Sequence, residues 1–223
     1  MSRFIEYVAY RLSERNRQKK FKLFLTLLSP KKDDTVLDVG VNDEEYSESD
    51  NYLEKHYPFP EQITAVSQES LDHFKKRYPH IRALIANGQS LPFHDNEFSV
   101  SHSNAVIEHV GTRINQLAFL KELFRVGQKG FLTTPNKYFP VEVHTRVPFL
   151  HILLPKSFFD MFLKKIGKEW AVGQYMHLLS IRDIRSLLND AGISQYKIIR
   201  NRIFGFTATF TVVWSKETKY TLL

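Results

Sequence analysis

Three short stretches hold the residues whose types and spacing could do chemistry. In "TVLDVGVNDEEYSESD", which opens at Thr35, an apolar run ends in Asp38 and Gly40. Such a run reads as a strand that turns beneath a ligand: glycine lets the backbone come close, and Asn42 is among the few other residue types that tolerate positive φ. The acids that follow, Asp43, Glu44 and Glu45, would repel a pyrophosphate at the next helix start but tolerate a neutral or cationic nucleoside. In "NGQSLPFHDNEFSVSHSNAVIEHV", from Asn87 to Val110, an amide-glycine pair, a turn, a strand and a helix start beginning Glu108-His109-Val110 follow closely. In "TTPNKYFPVEVHTRVPFLHILLP", Glu142 and His144 alternate on one side of a short extended run. Histidine is the side chain whose unperturbed pKa suits base work near neutrality, so His144, with Glu142 beside it, is a general-base pair if an acceptor must lose a proton. His109 either faces that acceptor or caps the helix that follows. His151 and His177 read as structural. No H-E-x-x-H occurs and Glu142-x-His144 alone is weak, so no metal is assigned.

The elements that must position these residues alternate along the chain. "TVLDVG", "QITAVS", "ALIAN", "EFSVSHSN" and "KGFLTTPN" read as strands, with "SDNYLEKHYP", "QESLDHFKKRYP" and "INQLAFLKELFRVG" as helices between them. That alternation means an α/β fold with a mostly parallel sheet. Later come "SIRDIRSLLNDAG", an amphipathic helix closed by Gly192, and two β-rich runs, "YKIIRNRIFG" and "TATFTVVWSK", separated by a glycine corner. These two form an antiparallel pair at the end of the sheet. In an open parallel sheet, ligands bind at the carboxyl ends of the strands, where every candidate above is placed.

The 223 residues, 43% hydrophobic and 25% charged, fit a single domain spanning 1–223. It carries a basic helical segment at 1–34 and an apolar-aromatic insertion at 137–179. The absence of cysteine excludes disulfides, thiolate metal sites and a cysteine nucleophile. The N-terminal stretch lacks the apolar core of a signal peptide and no run of about 18 apolar residues occurs, which gives the expectation of a cytoplasmic protein. The net charge of +7 is concentrated in Arg11, Arg15, Arg17, Lys19, Lys20 and Lys22. These read as the solvated face of a helix or as a contact for a polyanion or a membrane. The insertion, rich in Phe149, Leu153, Phe158, Phe159, Met161 and Phe162 before Lys164 and Lys165, is a lid packed on the site or a basic amphipathic surface lying peripherally on the inner membrane face.

The unit "LPFHDNEFSVSHSNAVIEHV", preceded by "VLDVG", resembles the class I S-adenosylmethionine-dependent methyltransferases, in particular their small-molecule branch. The resemblance runs from about Val36 to Asn136. It implies a Rossmann-like three-layer sandwich around a seven-stranded sheet with an antiparallel C-terminal strand, and S-adenosyl-L-methionine as cofactor. By the resemblance, Asp38, Gly40 and Asn42 lie under the methionine part, Asn87 and Gly88 by the adenine, and Asn104 and Ala105 near the methionine moiety and methyl group. Two departures stand out: the later glycines of the first motif are missing, and Ser67 replaces the acid that binds the ribose hydroxyls, with Glu69 close behind. A serine makes one hydrogen bond where a carboxylate makes two charge-assisted ones, which lowers the expected cofactor affinity.

The expected function is methyl transfer to a hydroxyl or amine of a small-molecule, saccharide or lipid-linked acceptor, held in line with the donor. Two alternatives are a nucleic-acid (tRNA) methyltransferase, disfavoured by the lack of an N-P-P-[YF] motif, and a non-catalytic binding protein of the same fold. The acceptor's identity and the oligomeric state do not follow from the sequence.

Overall fold

The computed structural model describes residues 3–141, 145, 147–172 and 176–217. Its seven strands are β1 (Val36–Val39), β2 (Ile63–Ser67), β3 (Arg82–Ile85), β4 (Phe98–Asn104), β5 (Gly127–Pro135), β6 (Tyr196–Ile203) and β7 (Phe206–Ser215). They form one sheet in the order β3-β2-β1-β4-β5-β7-β6. The pairs among β1 to β5 are parallel, whereas β7 runs antiparallel to β5 and β6 antiparallel to β7. The strand order reverses between β1 and β4, which makes their carboxyl ends the switch point of the sheet.

Side-chain alternation gives the sheet two covered faces. Leu37 and Val39 of β1 pack with Phe119, Leu120 and Leu123 of α4 (Arg113–Val126) and with Ile184 and Leu187 of α7 (Ile181–Asp190). Val36 faces the other way, toward Phe24 and Leu28 of α1 (Arg3–Leu28), Leu53 of α2 (Tyr52–His56) and Phe74 of α3 (Asp72–Arg77). The result is the three-layer arrangement expected from the sequence. At Gly130 a Cβ would fall 1.9 Å from the Trp214 ring, so the buried indole is what requires a glycine in β5.

Local chemistry explains where elements start and stop. Ser180 and Asp183 form a reciprocal capping box at α7, and Gly192 ends that segment with φ +73. The β6–β7 corner turns through Phe204 and Gly205, both at positive φ. Two expectations fail. The helix expected over Ser49 to Pro58 shrinks to Tyr52–His56, because Asn51 adopts left-handed geometry (φ 46) just before it. Glu108-His109-Val110 forms a turn rather than a helix start, and α4 begins only after Gly111.

The segment between β5 and α7 carries α5 (Leu150–Leu153) and α6 (Lys156–Lys165), with its own small cluster of Val147, Phe159, Leu163 and Ala171. Its two ends meet: Asn136 and Leu179 form a bridge, and Lys137 N–H donates to the Leu179 carbonyl at 3.0 Å. No helix among the described residues is long and apolar enough to cross a membrane.

Candidate functional site

The carboxyl ends of β1 and β4 border a small cavity of about 60 Å³, walled by α1 and by the loop leading into α2. Asp38, Gly40, Asn42 and Asn104, all singled out in the sequence, line it together. Gly40 has φ +104, and a Cβ there would lie 2.2 Å from Val106 Cγ2, so both conformation and packing exclude a side chain. Asn42 is not left-handed. Instead its backbone N–H donates to Asn51 Oδ1 at 2.9 Å and its carbonyl accepts from Asn51 Nδ2 at 2.8 Å, and it is Asn51 that takes the positive φ. Ala105 also adopts positive φ (59), a strained setting for an L-residue with a Cβ, at the end of β4.

Four further side chains that sequence reasoning missed complete this cavity: Arg17, Lys20, Glu54 and His102. His102 Nδ1 donates to Asp38 Oδ1 at 2.7 Å, the ring stacking on Phe131 and meeting Phe24 edge-on. Lys20 Nζ donates to Asn104 Oδ1 at 2.8 Å, and the Thr133 hydroxyl donates to the same oxygen at 2.6 Å. Burial, then the charge of Arg17, holds the Lys20 amine well below its usual range. Burial likewise lowers Arg17, against the opposing pull of Asp50, Asp38, Glu108 and Glu54. Glu54 is only 4% exposed, and its buried carboxyl lies against Asp38. Burial, then the charge of Asp38, raises its pKa well above the carboxylate range, so this side chain keeps its proton where an ordinary glutamate has lost it.

A signal for Arg17 and Lys20 was present in the sequence. They fall at helical spacing with Phe21, Phe24 and Leu28, on the stripe that α1 buries, and only the density of charge in that helix hid it. His102 was concealed by the serines around it in β4. Those serines are satisfied internally, as where Ser103 Oγ donates to the Val39 carbonyl at 2.8 Å.

The ends of β2 and β3 supply the second half of the expected site. Ser67 Oγ accepts from Glu69 N–H at 3.3 Å. Asn87 Oδ1 accepts from Gln89 N–H at 2.9 Å, which fixes the orientation of the carboxamide, and also from Gln68 Nε2 at 2.8 Å. The carbonyl oxygen of Asn87, the residue the resemblance sets by the adenine, is therefore already engaged, and what Asn87 offers outward is its Nδ2 group. Gly88 is buried, with the Phe119 ring 2.6 Å from where a Cβ would stand, so packing accounts for it.

The acidic run after Gly40 is turned to structural use. Asp43 Oδ1 accepts from Phe74 N–H at 2.8 Å, and Glu45 takes Lys55 at 2.8 Å and the Tyr78 hydroxyl at 2.6 Å. These acids hold α2 and α3 in place instead of guarding the turn against phosphate. Asp43, Glu44 and His73 do converge, but His73 Nδ1 already contacts both carboxylates at 2.9–3.0 Å. His109 sits exposed on the turn after β4, outside the cavity. Glu142 and His144 lie outside the described residues.

A second concavity of about 480 Å³ lies between the 137–179 segment, α4 and α7. His151 and His177 line it with Lys137, Lys156 and Asp183, above an apolar wall that includes Ile152 and Phe159. It adjoins the turn after β4, since His177 N–H donates to the Glu108 carbonyl at 2.7 Å. Burial, then the charge of Lys156, holds the His177 imidazole below its usual pKa.

A family model described as a methyltransferase domain matches residues 37–132, the span from β1 through most of β5. No curated protein matches this sequence. Among solved structures, a possible histamine N-methyltransferase from Thermotoga maritima is similar over 96% of both chains, at 17% identity and TM-score 0.55. An S-adenosylmethionine-dependent methyltransferase from Methanosarcina mazei is similar over 82% of this chain and 92% of its own, at 17% identity and TM-score 0.51. Geranyl diphosphate C-methyltransferase from Streptomyces coelicolor, solved with S-adenosylhomocysteine, is similar over 88% of this chain and 77% of its own, at 13% identity and TM-score 0.56. Residues 37–132 thus match a methyltransferase domain, and the strand order around the switch-point cavity is the fold shared with these S-adenosylmethionine-dependent methyltransferases.

Proposed function

We propose that this methyltransferase methylates a hydroxyl or amine on a small-molecule, saccharide or lipid-linked acceptor. The observation that carries the cofactor end is the convergence of Arg17, Lys20, Asp38 and the buried Glu54 carboxyl on the one cavity at the ends of β1 and β4. S-Adenosylmethionine ends in an α-amino acid, and the cavity sets acids Asp38 and Glu54 against cations Arg17 and Lys20, a donor and acceptor set that fits such a zwitterion. Gly40, Asn42, Asn104 and Ala105 would border its methionine portion, and Ser67, Asn87 and Gly88, with Gln68, its nucleoside. Bound there, the cofactor supplies an electrophilic methyl carbon on a positively charged sulfur.

The chain's own task is then to orient the acceptor, exclude water and, where needed, take a proton. Lys20 and Thr133 hold the Asn104 carboxamide rigidly at the end of β4. We assign the acceptor to the 137–179 segment acting as a lid. Glu142 or His144 would orient or deprotonate it. His177 is added to that set because its imidazole, held neutral beside the 480 Å³ concavity, can accept a proton. The exposed stripe of Phe149, Leu153 (73% exposed), Phe158 and Met161, bounded by Lys164 and Lys165, supports an acceptor that arrives on a lipid.

Calorimetric titration with S-adenosylmethionine and S-adenosylhomocysteine tests the reading, beside Asp38→Ala. Micromolar binding that the substitution abolishes is expected. Absence of binding to either compound at millimolar concentration would overturn it in favour of a non-catalytic role.

A further inference from the structure

The basic stretch of α1 has two faces with different surroundings. Arg17 and Lys20 turn into the switch-point cavity, whereas Lys19 and Lys22 line a separate groove of about 960 Å³ at the edge of the sheet. Arg185 of α7 and Arg200 and Arg202 of β6 complete that groove. Five cations from three elements thus face one concavity, no carboxylate among the described residues lines it, and none of the five has an ion pair with another described residue. Gathering like charges without compensation is unfavourable, and the resulting positive field concentrates anions. Leu23, Tyr196 and Ile198 add an apolar stretch beside the cations.

Strand register locates the groove relative to the site. Arg200 pairs with Phe210, which pairs with Thr134, and Asn201 is level with Thr209 and Pro135. Ile199 is level with Asn104 and Thr133, so Arg200 and Arg202 stand one and three residues further along β6, at the carboxyl edge of the sheet. Strand β6 is three strands from β4, a lateral offset of roughly 14 Å at the usual strand spacing.

We infer that this groove binds the diphosphate of a diphosphate-bearing ligand. Shape selects among polyanions: a bilayer is flat and cannot enter a concavity, and the volume matches the upper range of small-molecule sites, about 300–1,000 Å³. Three of the cations are arginines, whose forked donors match phosphoryl oxygens in pairs. A ligand anchored there can carry a tethered group across to the methyl-transfer site, a consequence that rests on the function proposed above; the groove itself does not.

The test is calorimetry on the full chain at fixed ionic strength with inorganic pyrophosphate, a nucleoside diphosphate, sulfate and a short single-stranded oligonucleotide, repeated for Arg200→Glu/Arg202→Glu. Both arginines are exposed, so the variant keeps its core, and a thermal melt checks this. Pyrophosphate and the nucleoside diphosphate should bind at least tenfold tighter than sulfate. The variant should lose at least tenfold while its S-adenosylhomocysteine affinity is unchanged. Pyrophosphate binding no tighter than sulfate, or undiminished in the variant, overturns the inference, as does oligonucleotide binding that pyrophosphate does not displace. If pyrophosphate binds but S-adenosylhomocysteine does not, the groove stands and the methyl-transfer reading falls.

Discussion

Lys20 Nζ and Asn104 Oδ1 lie 2.8 Å apart across 84 residues of sequence, tying the N-terminal helix to the end of the central strand β4. That bond places a buried amine at the switch point, where the cofactor's carboxylate is proposed to lie. Burial already disfavours this amine, and when it is removed Asn104 Oδ1 still accepts from the Thr133 hydroxyl, so an apolar side chain of similar size costs little there. Lys20→Met should therefore leave the melting temperature unchanged or raised while weakening S-adenosylhomocysteine about tenfold, a loss of about 1.4 kcal/mol. Unchanged affinity by calorimetry would remove Lys20 from the cofactor site.

Asp38 and His102 form a buried pair in which removing one partner strands the other. Asp38→Ala should cost about 2–4 kcal/mol in urea denaturation, in addition to abolishing cofactor binding. A variant of wild-type stability would show that His102 finds a second partner.

Glu54 gives the chain a pH dependence of defined sign. Its folded pKa is raised above the unfolded value of about 4.3, so between the two the native state binds the extra proton and stability falls as pH rises. Glu54→Gln removes that loss. Its melting temperature relative to wild type should climb as pH is raised from about 4.5 upward, and a pH-independent difference across that range would contradict the raised pKa.

At Gly40 two costs can be separated. Gly40→Ala should destabilise by about 1–3 kcal/mol through its left-handed φ and its contact with Val106. Adding Val106→Ala relieves only the contact, so the double variant should recover part of the loss against Val106→Ala alone. Full additivity in a double-mutant cycle of denaturation midpoints would mean that Val106 does not limit this site.

The sheet was largely legible because its signals are local. Buried parallel strands are continuous apolar runs, and Gly192 and the corner at Gly205 mark their turns. The cavity was legible only in its backbone half. Gly40 and Asn104 sit where strand ends put them, but the positive φ expected at Asn42 belongs to Asn51 and Ala105, because a turn's hydrogen bonds decide which residue takes the strain. Arg17, Lys20 and Glu54 escaped notice for a related reason. A charge is normally solvated, so the charge of Arg17 and Lys20 outweighed their place on the apolar stripe of α1, and only packing between distant segments shows that Glu54 is buried.

The bridge between Asn136 and Leu179 gives the segment between them one point of departure and return on the sheet. Lengthening a loop whose ends are already pinned costs little, about 0.6 kcal/mol per doubling. The segment can therefore be inserted, shortened or exchanged as a cassette while the sheet and the β1–β4 cavity stay the same. On the acceptor assignment proposed above, the acceptor can then change without renegotiating the cofactor, through one exchangeable stretch of chain.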